Sequence, residues 1–156
     1  MAEVEIRRAV IADVTAIQAL IKDHAAEDLL LPRTLSYLYE NVRDFFVACV
    51  DGQVIGCGSL HVMWDDLAEV KSLAIAPGHK GKGYGRRLVE ACLEEARQLG
   101  VEKVFVLTLV PPFFERLGFK PVDKEELPRK IWGECVNCPH FPDCDEVALA
   151  LDIGSR

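Results

Sequence analysis

The clearest periodicity in the chain is helical. Leu88, Val89, Cys92, Leu93, Ala96 and Leu99 recur on one face, while Arg86, Arg87, Glu90, Glu94, Glu95 and Arg97 fall on the other. This predicts an amphipathic helix with Gly100 as the residue just past its end. Before it runs the apolar stretch Val70–Ile75, closed by Pro77, which cannot donate to a ladder and so marks a strand end. Glycines 81, 83 and 85 fill the loop between the two. Upstream, Val4–Arg8 alternates like a strand, and Val14, Ile17, Ile21 and Ala25 mark a helix with Asp13 as its cap. A loop over Glu27–Pro32 leads to a shorter helix across Thr34–Asn41, capped by Thr34. Phe45–Val50 and Gln53–Leu60 flank Asp51-Gly52, a hairpin signal because both positions tolerate positive φ. Gly56 and Gly58 suggest a bulge or a close approach. Downstream come a strand at Lys103–Leu109, a short helix from Pro111 or Pro112 to Leu117 with Gly118 beyond it, and strands at Phe119–Val122 and Glu146–Asp152. The order βααβββαβαβ predicts an α+β layered domain with a mixed central sheet flanked by helices.

Composition narrows the class. A chain of 156 residues, half hydrophobic and 28% charged, is expected to fold as a single domain over 1–156. No apolar run approaches the ~20 residues that span a bilayer. The N-terminal stretch is acidic from the start and alternates, so no signal peptide is expected and the cytoplasm is the expected location. A net charge of -7 and a pI near 5.1 argue against a nucleic-acid partner. Of the six cysteines, Cys49, Cys57 and Cys92 lie in apolar patterns and read as small buried hydrophobes.

Within this acidic chain the glycine loop reverses sign, with His79, Lys80, Lys82, Arg86 and Arg87 gathered around it. Alternating glycines let backbone N–H groups turn toward one point, and the following helix adds the positive end of its dipole. Such a place suits a pyrophosphate. A solvated loop with ordinary surface lysines is the alternative. The stretch is not a P-loop, since no Gly-Lys-Ser/Thr occurs, and it is not the G-x-G-x-x-G dinucleotide pattern.

Lys80-Gly81-Lys82-Gly83-Tyr84-Gly85 resembles the acyl-CoA pyrophosphate loop of the GNAT N-acetyltransferase superfamily, with Lys80 where the family carries Arg or Gln. Leu73-Ala74-Ile75-Ala76-Pro77 resembles the family's fourth strand, and Phe113–Phe119 its late F-Y-E-x-x-G-F segment. The three motifs stand in family order and cover about a third of the chain. The resemblance implies a GNAT fold and acetyl-CoA as co-substrate. It implies cofactor binding by Leu73, Ala74, Ile75, Lys80, Gly81, Lys82, Gly83, Tyr84, Gly85, Arg86, Phe113 and Phe114. Transfer from a thioester to an amine needs the amine deprotonated, the carbonyl polarised and the leaving thiolate stabilised. Glu69 is the candidate base, since simple alternation puts Glu69, Lys71 and Leu73 on one strand face, and it matches the catalytic Glu of protein-lysine acetyltransferases. A surface carboxylate paired with Lys71 is the competing reading. Many relatives carry a Tyr acid where this chain has Phe114, so that acid is missing here. Direct transfer within a ternary complex is the expected mechanism.

For the acceptor, Arg33–Leu38, Gly83-Tyr84-Gly85 and Glu125–Pro128 resemble the acetyltransferase domain of N-acetylglutamate synthases, in a short stand-alone form. That implies an amino-acid acceptor, most simply glutamate, in the first step of arginine biosynthesis. Two carboxylates need cations, and Arg33, Lys71, Arg129 and Lys130 are the candidates, each with a plain surface role as its rival. A cysteine-rich segment over 132–145 holds Cys135, Cys138, His140 and Cys144, the ligand types of a Cys3His zinc site. Their spacing is tight and lacks a second knuckle, so structural zinc is not favoured over a proline-pinned lid or a redox thiol pair. Another small amine, a protein N-terminus or a non-catalytic acyl-CoA sensor stays open as an alternative, as does a homodimer.

Overall fold

The computed structural model describes residues 3–26, 33–123 and 147–154. Its strands are β1 (Val4–Arg8), β2 (Phe45–Val50), β3 (Gln53–Trp64), β4 (Leu67–Ile75), β5 (Lys103–Thr108), β6 (Lys120–Pro121) and β7 (Val147–Asp152). Its helices are α1 (Val14–Ala26), α2 (Leu35–Glu40), α3 (Tyr84–Leu99) and α4 (Pro111–Glu115). The strands form one sheet in the order β1-β2-β3-β4-β5-β7-β6, antiparallel except where β4 meets β5. The mixed sheet flanked by helices is therefore as expected, with the strand expected over Phe119–Val122 reduced to the two residues of β6 at the edge.

The apolar stripe of α3 explains one layer: Leu88, Val89, Cys92, Leu93 and Ala96 pack against Ala68, Val70, Val104 and Val106. On the other face Val14, Ile17 and Ile21 of α1, with Leu38 of α2, cover Phe45, Val47, Cys57 and Ala74. Gly100 closes α3 at φ 84, its N–H donating to Ala96 and Arg97 carbonyls, as the sequence predicts.

Asp13 behaves differently from the expected cap. Its carboxylate reaches back, accepting two bonds from the Arg7 guanidinium at 2.7 and 3.0 Å and one from Val10 N–H at 2.8 Å. This ties β1 to the start of α1. The Arg7 hydrogen bond holds the Asp13 carboxyl below its ordinary value of 3.8. A depressed carboxylate pKa stabilises the fold above the unfolded value, and that contribution disappears as pH falls through the folded one. Asp13→Ala should therefore cost about 2 kcal/mol in urea denaturation at pH 7. The gap from wild type should close in strong acid.

The feature that shapes the site is a break in the β3–β4 ladder. Ser59 pairs with Lys71 and Cys57 with Ala74, so Ser72 and Leu73 together oppose Gly58. Ser72 takes φ 56, a left-handed conformation unusual for a residue with a side chain, and its carbonyl accepts the Cys57 thiol at 3.3 Å. A Cβ on Gly58 would stand 3.2 Å from Leu73 Cδ1, and one on Gly56 only 2.7 Å from Ile75 Cδ1, so both glycines permit close approach. The bulge also overturns the simple alternation. Leu73 and Ile75 join the α3 face with Ala68 and Val70, while Ala74 faces α1. Leu73 therefore does not share a face with Glu69 and Lys71.

Candidate active site

Past Glu69, just ahead of the bulge, β4 and β5 part. Their pairing comprises Leu67 with Lys103, Ala68 with Val104 and Glu69 with Phe105, after which β4 has no β5 partner among the described residues. Ala76 N–H donates to Ile55 O on β3 at 2.8 Å. Successive strand amides point in opposite directions, so those of Leu73 and Ile75 face the gap. A wedge between the two strands, with polar backbone on one wall, results.

The glycine loop lies at the end of this strand. Gly81 and Gly83 have φ of 78 and 83, and a Cβ at either would meet nothing within 4 Å. Their conformation is one that only glycine adopts readily, and the space in front of them is open. The first i to i−4 bond of α3 runs from Arg87 N–H to Gly83 O at 3.2 Å. The amides of Gly83, Tyr84, Gly85 and Arg86 precede it and have no acceptor within the helix. Gly85 has another purpose: a Cβ there would lie 3.3 Å from the Phe113 ring, so its absence seats α4 against the start of α3.

Lys80 and Lys82 are exposed beside the glycines. Arg86 meets Glu90 at 3.3 Å, and Arg87 reaches the Val4 carbonyl at 3.4 Å, so Arg87 belongs to the sheet edge and not to the loop. Phe113 is half-buried, whereas Phe114 is core, 3% exposed and edge-on to both Phe113 and Phe119. Phe114 thus backs the aromatic that borders the site instead of lining it.

On the opposite face of β4, Glu69 and Lys71 are 9% and 7% exposed. That burial removes the surface-carboxylate reading of Glu69. Lys71 Nζ stands 3.2 Å from the Tyr37 hydroxyl, and the Arg33 guanidinium lies 4.5 Å from the centroid of the same ring. Tyr37 is fixed because Thr34 Oγ1, capping α2, accepts its N–H at 3.1 Å. His61 is the β3 residue directly opposite Glu69, and its Nδ1 is 2.8 Å from Asp44 Oδ2.

The structure thus brings Arg33 and Lys71, two of the expected acceptor residues, to the Tyr37 ring, with the candidate base Glu69 two residues from Lys71 on β4. Arg129, Lys130, the Glu27–Pro32 loop and the segment holding Cys135, Cys138, His140 and Cys144 lie outside the described residues. Among the described residues no cluster of His, Cys, Asp and Glu could hold a metal, and no helix is long and apolar enough to cross a membrane. Tyr37, Asp44 and His61 were not singled out from sequence; a histidine alternating with Ser59 and Met63 in an apolar strand was the one available signal. Burial raises the Cys57 and Cys92 thiols to about 12.

The acetyltransferase (GNAT) family model matches residues 12–119. The chain is 43% identical to an uncharacterized N-acetyltransferase of Chlorobaculum tepidum, over 95% of this chain and 96% of that protein. It is 39% identical to the amino-acid acetyltransferase of Mycobacterium tuberculosis, over 96% of this chain and 80% of that one. Among solved structures, N-acetylglutamate synthase of Neisseria gonorrhoeae, complexed with coenzyme A and N-acetyl-glutamate, superposes with a TM-score of 0.89 at 28% identity. That match covers 99% of this chain and 36% of the longer one. The family match runs from the turn before α1 to the strand after α4, taking in both the wedge and the glycine loop; the chain belongs to the GNAT family and is an acetyl-CoA-dependent N-acetyltransferase.

Proposed function

We propose that the chain acetylates the α-amine of L-glutamate, the first step of arginine biosynthesis. The observation that carries this reading is the meeting of Arg33 and Lys71 at the Tyr37 ring, on the β4 face that also holds Glu69. Two cations beside one buried carboxylate suit an acceptor that brings carboxylates of its own, and they disfavour a polyamine or an aminoglycoside. The relatives named amino-acid acetyltransferase, and the N-acetylglutamate synthase neighbour, support the same acceptor class.

In this reading the amides of Gly81–Arg86 hold the diphosphate of acetyl-CoA, with Lys80, Lys82 and Arg86 adding positive charge and the Tyr84 side chain flanking the loop. The thioester arm lies along Leu73, Ala74 and Ile75, bordered by Phe113 with Phe114 behind it, and an amide of Leu73 or Ile75 polarises its carbonyl. Glu69 takes one proton from the ammonium, directly or through water, and the freed amine attacks the carbonyl; the C–S bond then breaks, and the second proton, shed by the nitrogen as the amide forms, passes to the departing thiolate. Arg33 and Lys71 hold the carboxylates of the acceptor, with Lys130 a third candidate from the sequence.

Thiol release from acetyl-CoA, measured across the twenty amino acids, tests this. Glutamate should give the highest kcat/KM. Lys71→Met should raise KM for glutamate by about 10- to 100-fold, the loss of a charge-assisted bond of roughly 1.5 to 3 kcal/mol. KM for acetyl-CoA should stay within twofold. Equal rates with glutamate and a neutral amino acid such as alanine would refute the acceptor assignment.

A further inference from the structure

We propose that His61, held by Asp44, is a positioning and proton-relay residue for Glu69, carrying the proton that Glu69 removes from the amine out to solvent. The inference rests on the reading of Glu69 as the base. Acetylating an ammonium at neutral pH, with coenzyme A leaving as a thiol, releases one proton per turnover. The breaking N–H bond passes its proton to a Glu69 oxygen, and that oxygen must shed it before the next cycle. Glu69 is 9% exposed and cannot do so freely.

The geometry supplies the way out. His61 and Glu69 are directly opposed across the antiparallel β3–β4 pair, so their Cβ atoms lie about 5 Å apart and their side chains rise from the same face. On its other side Glu69 is matched to Phe105, an apolar neighbour that offers no proton acceptor. Asp44, in the turn just before β2, sits 2.8 Å from His61 Nδ1. A carboxylate there makes Nδ1 the N–H donor and leaves Nε2 with the lone pair, free to accept from a protonated Glu69. The imidazole is about one third exposed and Asp44 nearly as much, so the pair bridges the buried carboxylate and water. The titratable or charged groups brought to this face beside His61 are Asp44, Glu69, Lys71, Tyr37 and Arg33, while Ser59, Met63 and Phe105 carry none in the working range. The relay is balanced: of the two protons the ammonium loses, one leaves on the coenzyme A thiol, and the other enters Glu69, passes to Nε2 and exits to water or buffer.

The test is steady-state turnover of the full chain with acetyl-CoA and glutamate from pH 6 to 9, for wild type, His61→Gln and Asp44→Asn. Glutamine keeps a donor for Asp44 but cannot carry a proton. His61→Gln should lower kcat about tenfold or more, move the acid limb of the kcat profile, and leave KM for acetyl-CoA within twofold. Added imidazole should restore rate to His61→Gln in proportion to its concentration, which a structural defect would not allow. Asp44→Asn should shift the profile in the same direction with a smaller loss. His61→Gln indistinguishable from an active wild type at every pH overturns the relay and spares the acceptor reading. A loss of kcat that imidazole leaves unchanged also overturns it. A wild type inactive with glutamate overturns both.

Discussion

Gly83→Asp should abolish acetyl-CoA binding while leaving the fold intact. The space before Gly83 is open, so the new carboxylate would stand where the diphosphate is held in the proposed mode. Two like charges 4 Å apart at an effective dielectric of 20 cost about 4 kcal/mol, roughly a thousandfold in affinity, and solvent screening reduces this to about a hundredfold. Left-handed backbone at φ 83 is a further cost, but aspartate tolerates it better than most residues, and a carboxylate at a helix N-cap is favourable. Calorimetry should therefore detect no binding at concentrations that saturate wild type, with a melting temperature within a few degrees of it. Retained affinity within a few-fold would refute the loop assignment.

The second large effect is expected at Glu69. Glu69→Gln keeps the shape and removes the base, which should lower kcat by about 10² to 10⁴. The loss should be greatest at low pH and shrink as pH rises toward the point where the amine ionises unaided. Binding of acetyl-CoA should be unchanged, because Glu69 precedes the split between the strands and faces away from α3. A variant with the wild-type pH profile would remove Glu69 from this role.

Most of the framework was legible because it is written in local patterns. The stripe from Leu88 to Ala96, the Gly100 cap and the Asp51-Gly52 turn each follow from neighbouring residues, and each stands in the structure where the sequence puts it. The glycine loop was legible for the same reason. What could not be read was the turn-over of β4 at Ser72. Neither Lys71-Ser72-Leu73 nor its hydrophobicity marks a left-handed residue; the only trace was on the partner strand, where Gly58 makes room for Leu73. One irregular residue reversed the facing of Leu73 and Ile75 relative to Glu69 and Lys71. The Asp44–His61–Glu69 arrangement was equally hidden, since 25 residues separate its ends and it takes strand register together with one side-chain contact to unite them. Nor does a diaromatic pair say in sequence which ring turns inward; here it is Phe114.

The buried thiols carry a consequence for the course of acetyl transfer. At about 12, Cys57 and Cys92 hold their protons throughout the physiological range, and Cys57 spends its hydrogen on the Ser72 carbonyl. Neither can compete with the incoming amine for the acetyl carbon, so these sulfurs offer no covalent stopover. A cysteine deep in the molecule here serves as a latch on a kinked strand.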